Sequence, residues 1–366
     1  MRKSGVWRTI RLLPVIACAL LLTVGSASGA DPQNEVAALL VFPDIATEVV
    51  PGGGGTVETL FSVSNTSPNS VLVRVHFFNG DEGASTYCYE CDFLAPLNGS
   101  GTATFSVASD TSGGSLIRSL DNSLSLSCPW TRGFITVSLE DESGNTLTDN
   151  VLYGRQVVMD YSSGRSHSVA AVPFQGGAGN GDMVHDFDDV EYGRMPRIVA
   201  TEFIAPNSTS QAPVEFDAYL TLFTLGFTRQ FPPYVDCDVL GFDAAGNPFS
   251  ASLVFGCWTR VELEAITPLF AYPNLGVSGS DEHGWLQISC DVDSNDDGVF
   301  DAVGGVHGAF FQVEPTGTIW GTLGATANPT AWSRLMIQSV TTGDSVSLDL
   351  GSAGPPAPAP AARGSR

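Results

Sequence analysis

Short stretches of alternating apolar and polar residues recur along this chain. Residues 57–64 read V-E-T-L-F-S-V-S, and residues 71–78 read V-L-V-R-V-H-F-F. In the second, Arg74 and His76 alternate with Val73, Val75 and Phe77, the two-residue period of a half-buried strand. The intervening Asn65-Thr66-Ser67-Pro68-Asn69-Ser70 is a turn by composition. Comparable runs predict strands at 134–140, 151–160, 198–205, 215–224, 249–255, 285–290 and 309–314. Helical spacing is confined to 115–126, where Leu116, Ile117, Leu120 and Leu124 predict about two turns. Strands joined by turns, without alternating helices, predict antiparallel sandwiches rather than parallel sheets.

The two halves of the chain echo each other. Gly133-Phe134-Ile135-Thr136-Val137-Ser138 parallels Gly284-Trp285-Leu286-Gln287-Ile288-Ser289, and an acidic loop follows each. Cys91-Asp92-Phe93-Leu94 parallels Cys237-Asp238-Val239-Leu240, and Trp130-Thr131-Arg132 parallels Trp258-Thr259-Arg260. A tandem duplication is the expectation. The fold class is then all-β: two tandem antiparallel, immunoglobulin-like β-sandwich domains after a signal peptide. Domain 1 covers 31–175 and domain 2 covers 197–350. Between them, 176–196 contains Gly176-Gly177-Ala178-Gly179-Asn180-Gly181 and then His185, Asp186, Asp188, Asp189 and Glu191, a solvated linker by composition. Residues 351–366, rich in Pro and Ala, predict a disordered tail.

The first thirty residues carry Arg2, Lys3, Arg8 and Arg11, an apolar run from Leu12 to Val24, and small residues at Ser28 and Ala30. This is the pattern of a secretory signal cut before Asp31. Val15-Ile16-Ala17-Cys18 resembles a lipobox, but the apolar run continues past Cys18, which makes lipidation the lesser alternative. No later run is long enough for a transmembrane span. The expected location is secreted, extracellular or cell-surface, with the periplasm as an alternative.

Composition narrows the partners. The chain has 366 residues, 16 Lys+Arg against 39 Asp+Glu, and a formal net charge of −23. Lys3 is the sole lysine, so a chain cleaved before Asp31 has no Schiff-base lysine. An acidic balance excludes nucleic acid as a main partner, because binding it needs a basic footprint. Surface glycans and other extracellular proteins remain as partner classes. The architecture resembles immunoglobulin-like domains of bacterial secreted proteins, without the Cys…Trp…Cys spacing of true immunoglobulin domains. Val41-Phe42-Pro43 and the N-T-S turn at 65–67 also resemble uncharacterised secreted proteins of Gram-negative bacteria.

Six cysteines follow the signal: Cys88, Cys91, Cys128, Cys237, Cys257 and Cys290. An even count in an exported chain implies disulfides. The internal repeat suggests Cys91–Cys128 and Cys237–Cys257, leaving Cys88 and Cys290 to join across the domains, stay free, or show the pairing to be wrong. Cys88-Tyr89-Glu90-Cys91 lacks the helical context of a redox motif and the second ligand pair of a zinc site.

Asp291 to Asp301 reads D-V-D-S-N-D-D-G-V-F-D. With Asp293 at position 1, Asn295 falls at 3, Asp297 at 5, Gly298 at 6, Val299 at 7 and Asp301 at 9. Calcium takes six to eight oxygens, and such a loop turns alternate side chains inward while Gly at 6 permits a sharp turn. The pattern resembles the calcium loops of dockerins and thrombospondin type 3 repeats. That resemblance implies side-chain ligands from Asp293, Asn295, Asp297 and Asp301, a carbonyl from Val299, and Asp291 as an extra carboxylate. Gly304 stands where an EF-hand has its bidentate Glu, and an acidic hairpin turn without metal is the alternative.

No H-E-x-x-H, G-x-S-x-G or phosphate-loop motif is present. Trp130, Trp258, Trp285, Trp320 and Trp332 are candidates for core or for sugar stacking, with Trp285 assigned to the core by its alignment with Phe134. The leading expectation is a non-enzymatic exported surface, matrix or adhesion protein, calcium-stabilised if the loop binds. A carbohydrate-binding protein would need exposed aromatics on one sheet face. A secreted hydrolase would need a cleft of converging polar groups.

Overall fold

The computed structural model describes residues 35–49, 56–110, 113–121, 123–161, 165–204, 217–228, 231–243, 245–271, 283–313, 331–338 and 343–350. The signal segment, the Pro/Ala tail and Trp320 lie outside these residues, as does the side chain of Trp332. Each of the nine predicted strand runs contains a strand. The predicted helix does not form. Ser115–Ser119 and Ser125–Cys128 make a hairpin instead, with Leu116 opposite Ser127 and Ile117 opposite Leu126. Residues 115 to 119 alternate inward and outward, so Ile117 reaches the core while Leu120 stays in solvent. Two apolar residues in each of two short runs fit strand pairing as well as a helical face.

The strands form five small sheets. These stand as the blades of a five-bladed, propeller-type arrangement, adjacent blades packing face to face, in place of the two tandem immunoglobulin-like sandwich domains expected from sequence. The all-β class holds. The first sheet runs Val172–Phe174, Leu39–Ala46, Arg132–Glu140, Val71–Asn79, Glu90–Leu97. The second runs Arg165–Ala170, Leu152–Asp160, Thr56–Asn65, Thr102–Ser109, Ser115–Ser119, Ser125–Cys128. A small third sheet joins His185–Phe187, Val346–Asp349 and Phe227–Thr228. The fourth centres on Tyr234–Asp243 and His283–Asp293, and the fifth on Asp217–Thr224 and Val306–Val313.

What overturns the tandem picture is burial. Every residue from Gly133 to Glu140 is buried, so the first sheet is covered on both faces. One side packs Ile135, Val137 and Leu139 against Phe61, Val63 and Phe105 of the second sheet. The other side joins a core that runs from Ala38 to Leu350 and includes residues of the third and fifth sheets. In that core Phe78 stacks on Phe134 at 4.6 Å, Phe134 on Phe223 at 5.6 Å, and Phe227 meets Phe78 edge-on. Alternation along one strand shows which residues share a face, but not that both faces will be covered.

The segment 176–196 is not a solvated linker. Gly177 and Ala178 donate to the carbonyls of Glu191 and Val190, and Phe187, Tyr192 and Met195 are fully buried. Its acids serve the backbone: Asp188 accepts from the N–H groups of Val190 and Glu191, and Glu191 accepts from the Thr146 hydroxyl.

All six cysteines are bonded. Cys91–Cys128 is as the repeat suggests, but the others are Cys88–Cys257 and Cys237–Cys290 rather than Cys237–Cys257. Cys237 and Cys290 face each other across neighbouring strands in direct register, which fixes their pairing. Cys257 is thereby left for Cys88, and that bond ties the two halves of the chain together.

Candidate functional site

One cleft, of about 690 Å³, gathers most of the polar side chains that the strand pattern leaves unexplained. It begins at a proline. Pro43 sits inside Leu39–Ala46, where a residue without an N–H cannot continue the ladder. The register to Arg132–Glu140 slips between Phe42 and Ile45. Such irregularities re-aim side chains. Here the freed Pro43 carbonyl accepts the indole N–H of Trp258 at 2.7 Å, and the next side chain, Asp44, lies in the cleft wall.

Asp44 is fully buried. Its carboxylate meets Nε2 of His167 at 3.1 Å and Nη1 of Arg260 at 3.3 Å. Its backbone carbonyl accepts from the Gln156 amide at 2.7 Å. Burial by itself would raise the Asp44 carboxyl. The Arg260 charge and the His167 hydrogen bond outweigh it and hold the group below the usual carboxylate range. The Arg260 guanidinium lies 4.8 Å from the Tyr219 ring centre and 5.7 Å from that of Phe311, and the His167 ring packs on Phe311. These contacts fix the planar cation in one orientation.

The back wall is rigid. The Tyr87 hydroxyl donates to the Trp258 carbonyl and accepts the Gly256 N–H. A side chain at Gly80 would strike the Trp258 ring, so only glycine lets that indole seat. Val57, Val158 and Val261 add apolar surface, while Glu48, Asp160, Glu262 and Arg132 add charge at the walls. Four carboxylates therefore face two guanidinium groups and His167.

A second cavity of about 300 Å³ lies on the outer side of the first sheet. It is lined by Arg74, His76, Glu90, Asp92, Glu140, Asp141, Glu142 and His185, among others. Arg74 is spanned by Glu140, at 2.8 Å to both oxygens, and by Asp92. Burial, followed by the charge of His76, pushes His185 down to about 3.

The acidic loop folds on itself. Asp293 is buried, and its carboxylate accepts the N–H groups of Asn295, Asp297 and Gly298. Asn295 and Asp297 turn back to the N–H groups two residues on, and Asp301 takes both the N–H and the hydroxyl of Ser294. Gly298 has φ +92°, the sharp turn the spacing predicts. As folded, these donors serve the loop's own backbone. Among the described residues no three His, Cys, Asp or Glu side chains are gathered as a ready metal-holding group. The residues present do not form a calcium cage here, and no function is derived through one. Val299 points outward and Asp291 lies opposite Asp236 on the neighbouring strand.

The tryptophans divide. Trp130 and Trp258 are buried, but Trp285 is 40% exposed and stacks on Phe242 at 4.1 Å, which corrects its assignment to the core. Alignment with the buried Phe134 misled, because the fourth sheet leaves its outer face open while the first sheet is covered twice.

Asp44, His167 and Arg260 were not singled out from sequence. The signal was there in Pro43, a strand-breaking residue within the apolar run 39–42, directly followed by a carboxylate.

No protein-family model matches the sequence, and no curated protein matches it. Among solved structures, one described as the structure of infectious bursal disease virus Gt strain aligns over 86% of this chain and 76% of that chain, at 10% identity and a TM-score of 0.15. A similarity that low carries no argument about fold or role. The described residues contain three disulfides and no helix long and apolar enough to cross a membrane.

Proposed function

We propose that this is an exported, non-enzymatic surface or adhesion protein that binds a neutral carbohydrate in the Asp44–Arg260 cleft. The observation that supports it is the preset guanidinium: Arg260 is clamped by a buried carboxylate and flanked by two aromatic rings at a cleft wall. Planar Arg, Asp and Glu side chains hydrogen-bond adjacent hydroxyls, and valines beside them accept the C–H face of a sugar ring. The carboxylate excess disfavours an anionic ligand. Three disulfides suit an oxidising exterior.

The test is a glycan array probed with the chain lacking residues 1–30, with Arg260→Ala and His167→Ala alongside. Retention of a neutral oligosaccharide by the parent and its loss in Arg260→Ala is the expected result. No retention, or retention untouched by both substitutions, overturns the reading.

The Asp44–His167 hydrogen bond favours a second reading, a hydrolase that uses His167 as general base on water. Mass spectrometry of the retained glycan separates the two, since a hydrolase shortens its ligand. Calcium at 293–301 rests on sequence spacing alone. A thermal midpoint unmoved by chelator, or by Asp293→Ala with Asp297→Ala, removes it.

A further inference from the structure

The second cavity holds two histidines that the cleft does not use. His76 and His185 are each more than nine-tenths buried, and none of their four ring nitrogens has a hydrogen-bond partner. Burying such groups without partners costs about 1–3 kcal/mol each, so a fold that keeps two of them beside one cavity calls for a reason. His76 Nδ1 stands 3.6 Å from Glu90 Oε2, and both side chains are almost wholly shielded from solvent. That spacing is long for a hydrogen bond. It does match the edge between two donors that share one tetrahedral ion, about 3.4 Å for bonds of about 2.1 Å. Five carboxylates of the cavity face one guanidinium, so the potential inside favours a cation.

We propose that this cavity binds a divalent transition-metal ion of the zinc class, with His76 and Glu90 as the paired ligands. His185, on the same cavity wall, is the donor that closes the shell, with water filling what remains. Imidazole and carboxylate oxygen suit Zn²⁺ or Co²⁺. The same ion would join Val71–Asn79 and Glu90–Leu97 of the first sheet to His185–Phe187 of the third, clamping the segment that sequence alone reads as a linker.

The experiment titrates the untagged chain lacking residues 1–30 with Co²⁺ and Zn²⁺. Visible d–d absorption reports the cobalt site, and calorimetry gives the affinity. With every cysteine of the body in a disulfide, an absorption band reports nitrogen and oxygen ligands. The expected result is one site per chain, weakened at least about tenfold by His76→Ala and by His185→Ala. Glu90→Gln keeps the side-chain shape, so it reports ligand loss without a void and should weaken binding likewise. Asp293→Ala with Asp297→Ala should leave the signal intact, which separates this site from the acidic loop. No binding at millimolar metal, or binding indifferent to His76, His185 and Glu90 substitutions, overturns the proposal.

Discussion

Replacing Asp44 with Asn tests the architecture of the cleft most directly. The substitution preserves shape and volume but removes the charge that Arg260 and His167 face. Losing one member of a buried ion pair costs about 3–5 kcal/mol, because the other is left uncompensated. The Arg260 side chain keeps about a quarter of its exposure, so water recovers part of the loss and the lower end, ~3 kcal/mol, applies. The assay is urea unfolding of parent and variant across pH. The sign follows from the folded-state carboxyl lying below its unfolded value near 3.8. Its contribution is complete above about pH 4 and is lost as pH falls through the depressed folded value. Parent and variant should thus differ fully at pH 7 and converge in strong acid. Adding Arg260→Met should recover part of the Asp44→Asn loss, since the unpaired cation is then gone. A loss under about 1 kcal/mol at pH 7, or two pH curves that run parallel into acid, would refute the buried-triad argument.

Replacing both Cys88 and Cys257 with Ala should cost about 5 kcal/mol on the chain-entropy model, more than opening either shorter loop, as read from urea midpoints under non-reducing conditions. Burial pushes His307 down to about 4, so the unfolded chain takes up its proton first and stability falls as pH drops from about 6.5 to 4. His307→Gln should flatten that decline by up to about 3 kcal/mol, and an unchanged acid midpoint would contradict it. Trp258→Ala should cost about 3–5 kcal/mol, whereas Trp285→Ala on the open sheet face should cost well under half of that. Equal losses would mean that the two environments are not as described.

The strands were legible because each carries its own two-residue period, as 71–78 shows. The grouping of those strands was not. Nothing in the sequence 134–139 states that Phe134 faces one core and Ile135 another, because burial on both sides arises from packing of remote segments. The helix expected at 115–126 failed for a related reason: four apolar residues over twelve positions suit either period. Cys91–Cys128 could be read from the repeat. The Cys237 partner could not, since it depends on the register between Tyr234–Asp243 and His283–Asp293. The cleft depends on Pro43, whose position in a strand is visible in sequence, but its partners lie 123 and 216 residues further on.

The doubly covered strand Arg132–Glu140 also bears on how the chain can be divided. Expressing 31–175 by itself would expose Leu39, Val41, Phe78, Phe134 and Phe174 along one side of the first sheet, a contiguous greasy plane of the kind that drives precipitation. The complementary fragment would lose the surface on which Phe223, Phe227 and Phe311 rest. Calorimetry of the intact chain should therefore record a single endotherm, and a protease that nicks between the halves should leave the pieces associated rather than release either one.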